Sequence, residues 1–208
     1  VEENTDDMST YYRSIFLAGP SEKGQALLEK VNNGEELTWD DLNDATWAVM
    51  GPTSASGYIY PSLWLLQRYG KGISDLDHAV ESDSYTTSLA RLASGQADIM
   101  VSYAHIRTKY APEWKETFGG TDDMINQTGV IGVTDKIYND MIAYSKTSET
   151  MADQDFRQAL GDSFIEIAQT EEGKDIISVF SQVGYTWGKD SDYDGERDAQ
   201  AMLKSAGK

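Results

Sequence analysis

The sequence predicts an α/β fold: a mostly parallel sheet flanked by helices, followed by a helical tail. Three observations carry that expectation. Short apolar runs alternate with amphipathic stretches over residues 10–144, the βαβ rhythm of a parallel sheet. A loop of small residues, Gly51-Pro52-Thr53-Ser54-Ala55-Ser56-Gly57, separates one apolar run from the helix after it. From Asp153 onward the strand pattern ceases and helical spacing takes over.

The elements follow in order. Residues 1–8 are acidic and polar and read as a frayed terminus. Residues 10–18, rich in aromatic and β-branched side chains, read as a strand. Ser21 caps a helix that runs to Val31 and ends at Asn32-Asn33-Gly34. Residues 38–42 form a short capped turn that feeds a strand at 47–50. After the small-residue loop, Tyr58, Leu63, Leu65, Leu66 and Tyr69 keep helical spacing up to Gly70. A weak strand at 77–81, a helix over 86–93 stopped by Ser94-Gly95, and a strand at 98–103 come next. The Gly-rich stretch 118–121 leads to a strand at 129–133, and 141–144 reads as a further strand. Helices are expected over 153–170, 171–183 and 194–205.

Composition removes several classes of function. Thirty-five acids against seventeen bases leave a net charge of −18, which repels nucleic acid and anionic membrane. Cysteine is absent, so disulfides, thiol nucleophiles and Cys metal sites are excluded. No apolar run reaches the length of a bilayer span, and no secretory leader precedes Val1, as expected of a mature or trimmed chain. The two histidines, His78 and His105, have no partner at metal-ligand spacing. The run from Asp190 imitates the opening of a calcium-binding EF-hand loop, but its twelfth position is Ala201, which has no carboxylate to offer. The tryptophans Trp39, Trp47, Trp64, Trp114 and Trp187 read as packing residues.

The loop carries the chemistry. At a helix start several backbone N–H groups lack acceptors and face the positive end of the helix dipole. The hydroxyls of Thr53, Ser54 and Ser56 join them. Together these groups suit a tetrahedral oxyanion held without a fixed positive charge; the same residues also suit an ordinary serine N-cap. Gly57 permits close approach of backbone and ligand, and Pro61 fits a first helical turn. No nucleophile–base pair is visible, so catalysis is not expected.

Four stretches in this order resemble the phosphate/phosphite/phosphonate substrate-binding proteins of ABC transporters, the PhnD-like group of the periplasmic-binding-protein superfamily. They are Tyr11-Tyr12-Arg13-Ser14-Ile15-Phe16, the loop Ser54-Ala55-Ser56-Gly57-Tyr58-Ile59-Tyr60-Pro61, the passage from Ser88 to Asp98, and Thr134-Asp135-Lys136-Ile137-Tyr138-Asn139-Asp140. The helical tail also fits, and the likeness covers nearly the whole chain. It implies a type II periplasmic-binding-protein fold in which residues 1–45 supply a crossover strand and connecting helix of lobe one, 46–138 form lobe two with the ligand loop, and 139–208 return to lobe one. Family members begin with a further βαβ half of lobe one, so one complete lobe plus part of the other is expected here. Two copies of the chain completing each other as a homodimer would restore the missing part.

The implied function is the solute-binding component of an ABC importer, extracytoplasmic (periplasmic or anchored as a lipoprotein). It would capture a phosphonate, phosphite or phosphate for the permease, without cofactor, metal or catalytic residue. An anion-sensing module on the same fold, or a binder of another small anion such as a sulfonate, are the alternatives. Ser54 and Ser56 would donate their hydroxyls, with Thr53 beside them and the N–H groups of Ala55, Ser56 and Gly57 beneath. Ala55 stands where the family usually has Thr, which removes one hydroxyl. Tyr11 resembles a crossover tyrosine that reaches the cleft, although it also suits a half-buried strand. Tyr85 falls where many members place a ligand-contacting His, and would either donate its phenol or pack at a helix start. Asp135 replaces the family's Pro; it would accept the proton of a protonated phosphonate or sit as a solvated acid. Tyr103 and His105 are further candidates at the cleft mouth.

Overall fold

The computed structural model describes residues 9–180 and 182–205, so the expectation for 1–8 lies outside the described residues. The chain packs as two units, Val1–Tyr12 with Tyr138–Gly195 (unit 1) and Arg13–Ile137 with Glu196–Lys208 (unit 2).

Unit 2 is organised around a sheet whose inner strands are apolar on both faces. Strands β1 (Tyr11–Ala18), β2 (Trp47–Val49), β3 (Ala79–Glu81), β4 (Ile99–Tyr103) and β5 (Gly129–Tyr138) lie in the order β3-β2-β4-β1-β5. β2 is parallel to both β3 and β4, while β1 runs antiparallel to β4, with Ser14 opposite Tyr103 and Ala18 opposite Ile99. Because successive side chains point to opposite faces, one run of sequence builds two cores. Phe16, Ala18, Trp47, Val49, Ile99 and Val101 pack on one face with Leu27, Leu42 and Leu65. Ile15, Leu17, Ala48 and Met100 pack on the other with Leu89, Leu92, Ile106 and Trp114. Burial on both faces explains why these strands read as continuous apolar runs. Trp47 and Trp114 are fully buried, in keeping with a packing role.

The helices start where the sequence offers a cap. Ser21 accepts the Gly24 N–H at the head of α1 (Glu22–Asn32), and Thr38 and Asp41 form a reciprocal capping box on α2 (Trp39–Asn43). Helix α3 (Tyr60–Tyr69) ends at Gly70, whose φ of 68° is left-handed. Ser84 caps α4 (Tyr85–Ala93). Two short helices, α5 (Ile106–Tyr110) and α6 (Met124–Gln127), were not expected, because one turn of helix leaves no periodicity to read. Residues 13–45, expected in lobe one, share unit 2 with the loop, since β1 inserts between β4 and β5.

Unit 1 is helical: α7 (Glu149–Ala152), α8 (Gln154–Ile167) and α9 (Glu171–Ser178). Thr170 ends one helix and caps the next by accepting the Gly173 N–H at 3.0 Å, which is why α8 stops short of the expected residue 170. Helix α9 stops at Ser178 rather than 183, with the Phe180 N–H turned back to the Ile177 carbonyl at 3.0 Å. The strand expected at 141–144 is absent; Met141, Ile142 and Tyr144 lie exposed on irregular backbone. A strand needs a neighbour for its N–H and C=O groups, and among the described residues none pairs here. Trp187 lies against Gly161, where an added Cβ would come within 2.3 Å of its ring. The acidic run at Asp190 forms a 3₁₀ turn leading into α10 (Asp194–Ser205), whose Ala199 and Leu203 are buried.

Candidate functional site

Strand β2 ends at Val49 and the chain enters the small-residue loop. The Met50 N–H reaches the Gly57 carbonyl at 3.1 Å and the Ser54 N–H reaches the Gly51 carbonyl at 2.9 Å, which closes the loop on itself. Ser54 is extended, and its carbonyl accepts from both Tyr58 (3.0 Å) and Ile59 (2.9 Å). That wide turn, Ala55–Ile59, is π-helical and passes directly into α3; such turns concentrate at functional sites. At its head the amides of Ala55 and Ser56 have no intrahelical acceptor. The Gly57 amide donates to Ser54 Oγ at 3.1 Å. Serine capping and oxyanion donation are therefore compatible, because a hydroxyl that accepts an N–H still has its own proton to give.

A third hydroxyl joins the two serines. Tyr85, the first residue of α4, places its phenol 2.9 Å from Ser56 Oγ and 3.4 Å from Ser54 Oγ. Its ring stands edge-on to Tyr103, centroids 5.2 Å apart. Burial, reinforced by the neighbouring phenols of Tyr110 and Tyr85, pushes Tyr103 up to about 12, so it stays neutral at physiological pH. The result is a cluster of hydroxyl donors beside amides that have no acceptor within the helix.

The structure thus brings together Ser54, Ala55, Ser56, Gly57 and Tyr85. Thr53 is exposed on the rim of the loop. Asp135 is exposed on β5, next to Thr134, whose hydroxyl donates to the Asp135 carbonyl at 3.0 Å. Tyr11 belongs to unit 1, where its ring packs 6.3 Å from Tyr138, which packs in turn 5.8 Å from Tyr193. His105 precedes α5, and His78 stands beside Asp44. Among the described residues no cluster of three potential metal ligands is present.

Two neighbours of the loop escaped sequence reasoning. Glu81 places a carboxylate oxygen 3.2 Å from where a Cβ on Gly51 would stand, a juxtaposition made only by the pairing of β2 with β3. Ser14 lies fully buried on β1 and donates to the Ser56 carbonyl at 2.6 Å. A hydroxyl at the head of a run of buried apolar residues was its signal, since such a group must find a partner inside.

This is the fold of the substrate-binding proteins that serve ABC transporters. The chain belongs to the ABC transporter phosphonate periplasmic substrate-binding protein family, which it matches over residues 1–193. A binding protein component of an ABC phosphonate transporter from Pseudomonas aeruginosa shares the fold at 15% identity and a TM-score of 0.61, covering 95% of this chain and 59% of its own. PhnD1 from Prochlorococcus marinus, solved in complex with methylphosphonate, shares it at 14% identity and TM-score 0.61, covering 94% of this chain and 68% of its own. A Xanthomonas citri protein solved with bound ATP gives 11% identity and TM-score 0.62, over 96% and 69%. This chain therefore spans about three fifths to two thirds of the length of these neighbours, 59–69%. No curated protein matches the sequence. Among the described residues no helix is long and apolar enough to cross a membrane.

Proposed function

We propose that this chain is the extracytoplasmic solute-binding component of an ABC importer, capturing a small phosphorus oxyanion (phosphonate, phosphite or phosphate) and passing it to the permease. The observation that carries it is the convergence of the Ser54, Ser56 and Tyr85 hydroxyls at the head of the turn where Ala55 and Ser56 have no intrahelical acceptor for their amides. Hydrogen bonds to a charged acceptor contribute about 1.5–3 kcal/mol each. Because the Ser56 and Tyr85 hydroxyls share one hydrogen bond between them, four donors remain for the anion, and four such bonds offset an association cost at the lower end of its range, about 4 kcal/mol, without a fixed cation. Net repulsion from the −18 charge acts at long range and is screened beyond about 10 Å at 0.1 M salt, so short-range dipoles decide the equilibrium.

Asp135 adds a carboxylate that accepts the ligand's remaining proton. A carboxylate in that role discriminates against anions that carry no proton; Asp135→Asn is expected to narrow the preference for phosphate over sulfate. The chain binds rather than catalyses. The hydrogen-bond partners of the two serine hydroxyls are the Gly57 amide and the Tyr85 phenol, with no imidazole or carboxylate between them among the described residues. Anchoring as a lipoprotein belongs to the same proposal. So does pairing of two copies through unit 1, supported by Ile176, Val179 and Phe180, which are 60–80% exposed.

The test is isothermal titration with phosphate, phosphite, methylphosphonate and 2-aminoethylphosphonate, repeated on the Ser54→Ala/Ser56→Ala double variant. Saturable binding of at least one, abolished in the folded double variant, is expected. Unchanged affinity in that variant would remove the loop from the site.

A further inference from the structure

We propose that Ser14 is a positioning residue for this site: its buried hydroxyl fixes the direction of the Ser56–Gly57 peptide and thereby aims the Ser54 hydroxyl at the ligand. The inference rests on the oxyanion role proposed for the loop.

Ser14 is 0% exposed and is followed on β1 by Ile15, Phe16, Leu17 and Ala18, all buried. Its backbone is held from both sides. Ser14 lies opposite Tyr103 on β4, and its N–H donates to the Thr134 hydroxyl on β5 at 2.9 Å. The Ser14 Oγ is 2.6 Å from the Ser56 carbonyl and 3.1 Å from the Ser102 carbonyl. One hydroxyl has one proton to give, and the shorter contact assigns most of it to Ser56.

A trans peptide points its C=O and N–H in opposite directions. Drawing the Ser56 carbonyl inward therefore turns the Gly57 N–H outward, where it donates to Ser54 Oγ at 3.1 Å. That bond uses a lone pair of Ser54 and leaves its O–H as a donor. The bonds run in one sense, Ser14 to the Ser56 carbonyl and Gly57 to Ser54, and aligned donors polarise one another. Without the Ser14 hydroxyl, the Ser56 carbonyl keeps no donor from β1, and the peptide loses the bond that holds it in this direction within the turn. A rotated peptide presents a carbonyl oxygen where the anion needs donors. Ser14 thus sets the sign of the electrostatic field at the site without touching the ligand.

The experiment compares wild type with Ser14→Ala, Ser14→Thr, Ser14→Cys and Leu27→Ala, the last a core truncation on α1 that removes no polar group. Each is titrated with methylphosphonate and with phosphate below its unfolding temperature, and the ligand-free Gly57 amide is followed by 1H–15N NMR. Ser14→Ala is expected to bind about tenfold more weakly, the value of one misdirected hydrogen bond to a charge. Its Gly57 amide resonance moves and exchanges faster with solvent. Ser14→Thr, which keeps the hydroxyl, restores most of the affinity, Ser14→Cys falls between, and Leu27→Ala loses stability without losing affinity. Wild-type affinity in Ser14→Ala, an equal loss in Leu27→Ala, or a Gly57 amide that stays in place would overturn the inference. If wild type binds neither anion, the proposed function falls, and the ligand-free Gly57 signal still decides whether Ser14 sets that peptide. Should Ser14→Ala not fold, the Thr and Cys variants carry the comparison.

Discussion

A side chain at position 57 collides with Met50: an added Cβ would lie 2.3 Å from its Cγ. Gly57 also supplies the amide that Ser54 caps, so one residue serves packing and site geometry together. Gly57→Ala is expected to cost about 1–3 kcal/mol through overpacking and to lower anion affinity as the turn shifts, both measurable by thermal unfolding and titration on the same sample. Sequence and structure divide this site unevenly. Ser54, Ser56 and Gly57 were legible because they are contiguous and their chemistry is local. Tyr85 was legible only through family resemblance, since 31 positions along the chain separate it from Ser54. Ser14 stayed hidden because nothing in a linear pattern says that β1 passes beneath the loop.

Elements were readable wherever a cap announced them. Ser21 and Thr38 start their helices at the positions their side chains require. Replacing Thr38 with Ala removes one half of a capping box and is expected to cost about 1 kcal/mol, read by urea unfolding. The same box makes a pH prediction. The Lys30 ammonium, followed by the Thr38 amide, holds the Asp41 carboxyl down at about 2. An unfolded aspartate titrates near 3.9, so this stabilisation is complete above about pH 4 and is lost as pH falls toward about 2. Asp41→Asn should lower the melting temperature at pH 6 and flatten its decline between pH 4 and pH 2; a variant melting in parallel with wild type across that window would refute it. Elements without caps or periodicity were misread. The stretch 141–144 has strand composition but no strand beside it, and the single-turn helices α5 and α6 are fixed by tertiary packing of Ile106 and Met124.

At the scale of the whole molecule, charge and exposed apolar surface point to separate behaviours. The net charge of −18 repels an incoming anion, and salt screens that repulsion. Association of phosphate or methylphosphonate is therefore expected to speed up as ionic strength rises, measured by stopped-flow; a site built on fixed cations would slow down. Pairing through Ile176, Val179 and Phe180 predicts a dimer in sedimentation that Phe180→Asp converts to monomer. The central claim concerns a few atoms, and one measurement reaches them: 1H–15N NMR of the Ala55, Ser56 and Gly57 amides during titration with methylphosphonate. Saturable downfield movement of Ala55 and Ser56, absent in the Ser54→Ala/Ser56→Ala variant, is the result predicted. Saturation observed elsewhere in the protein while these amides stay still would contradict it.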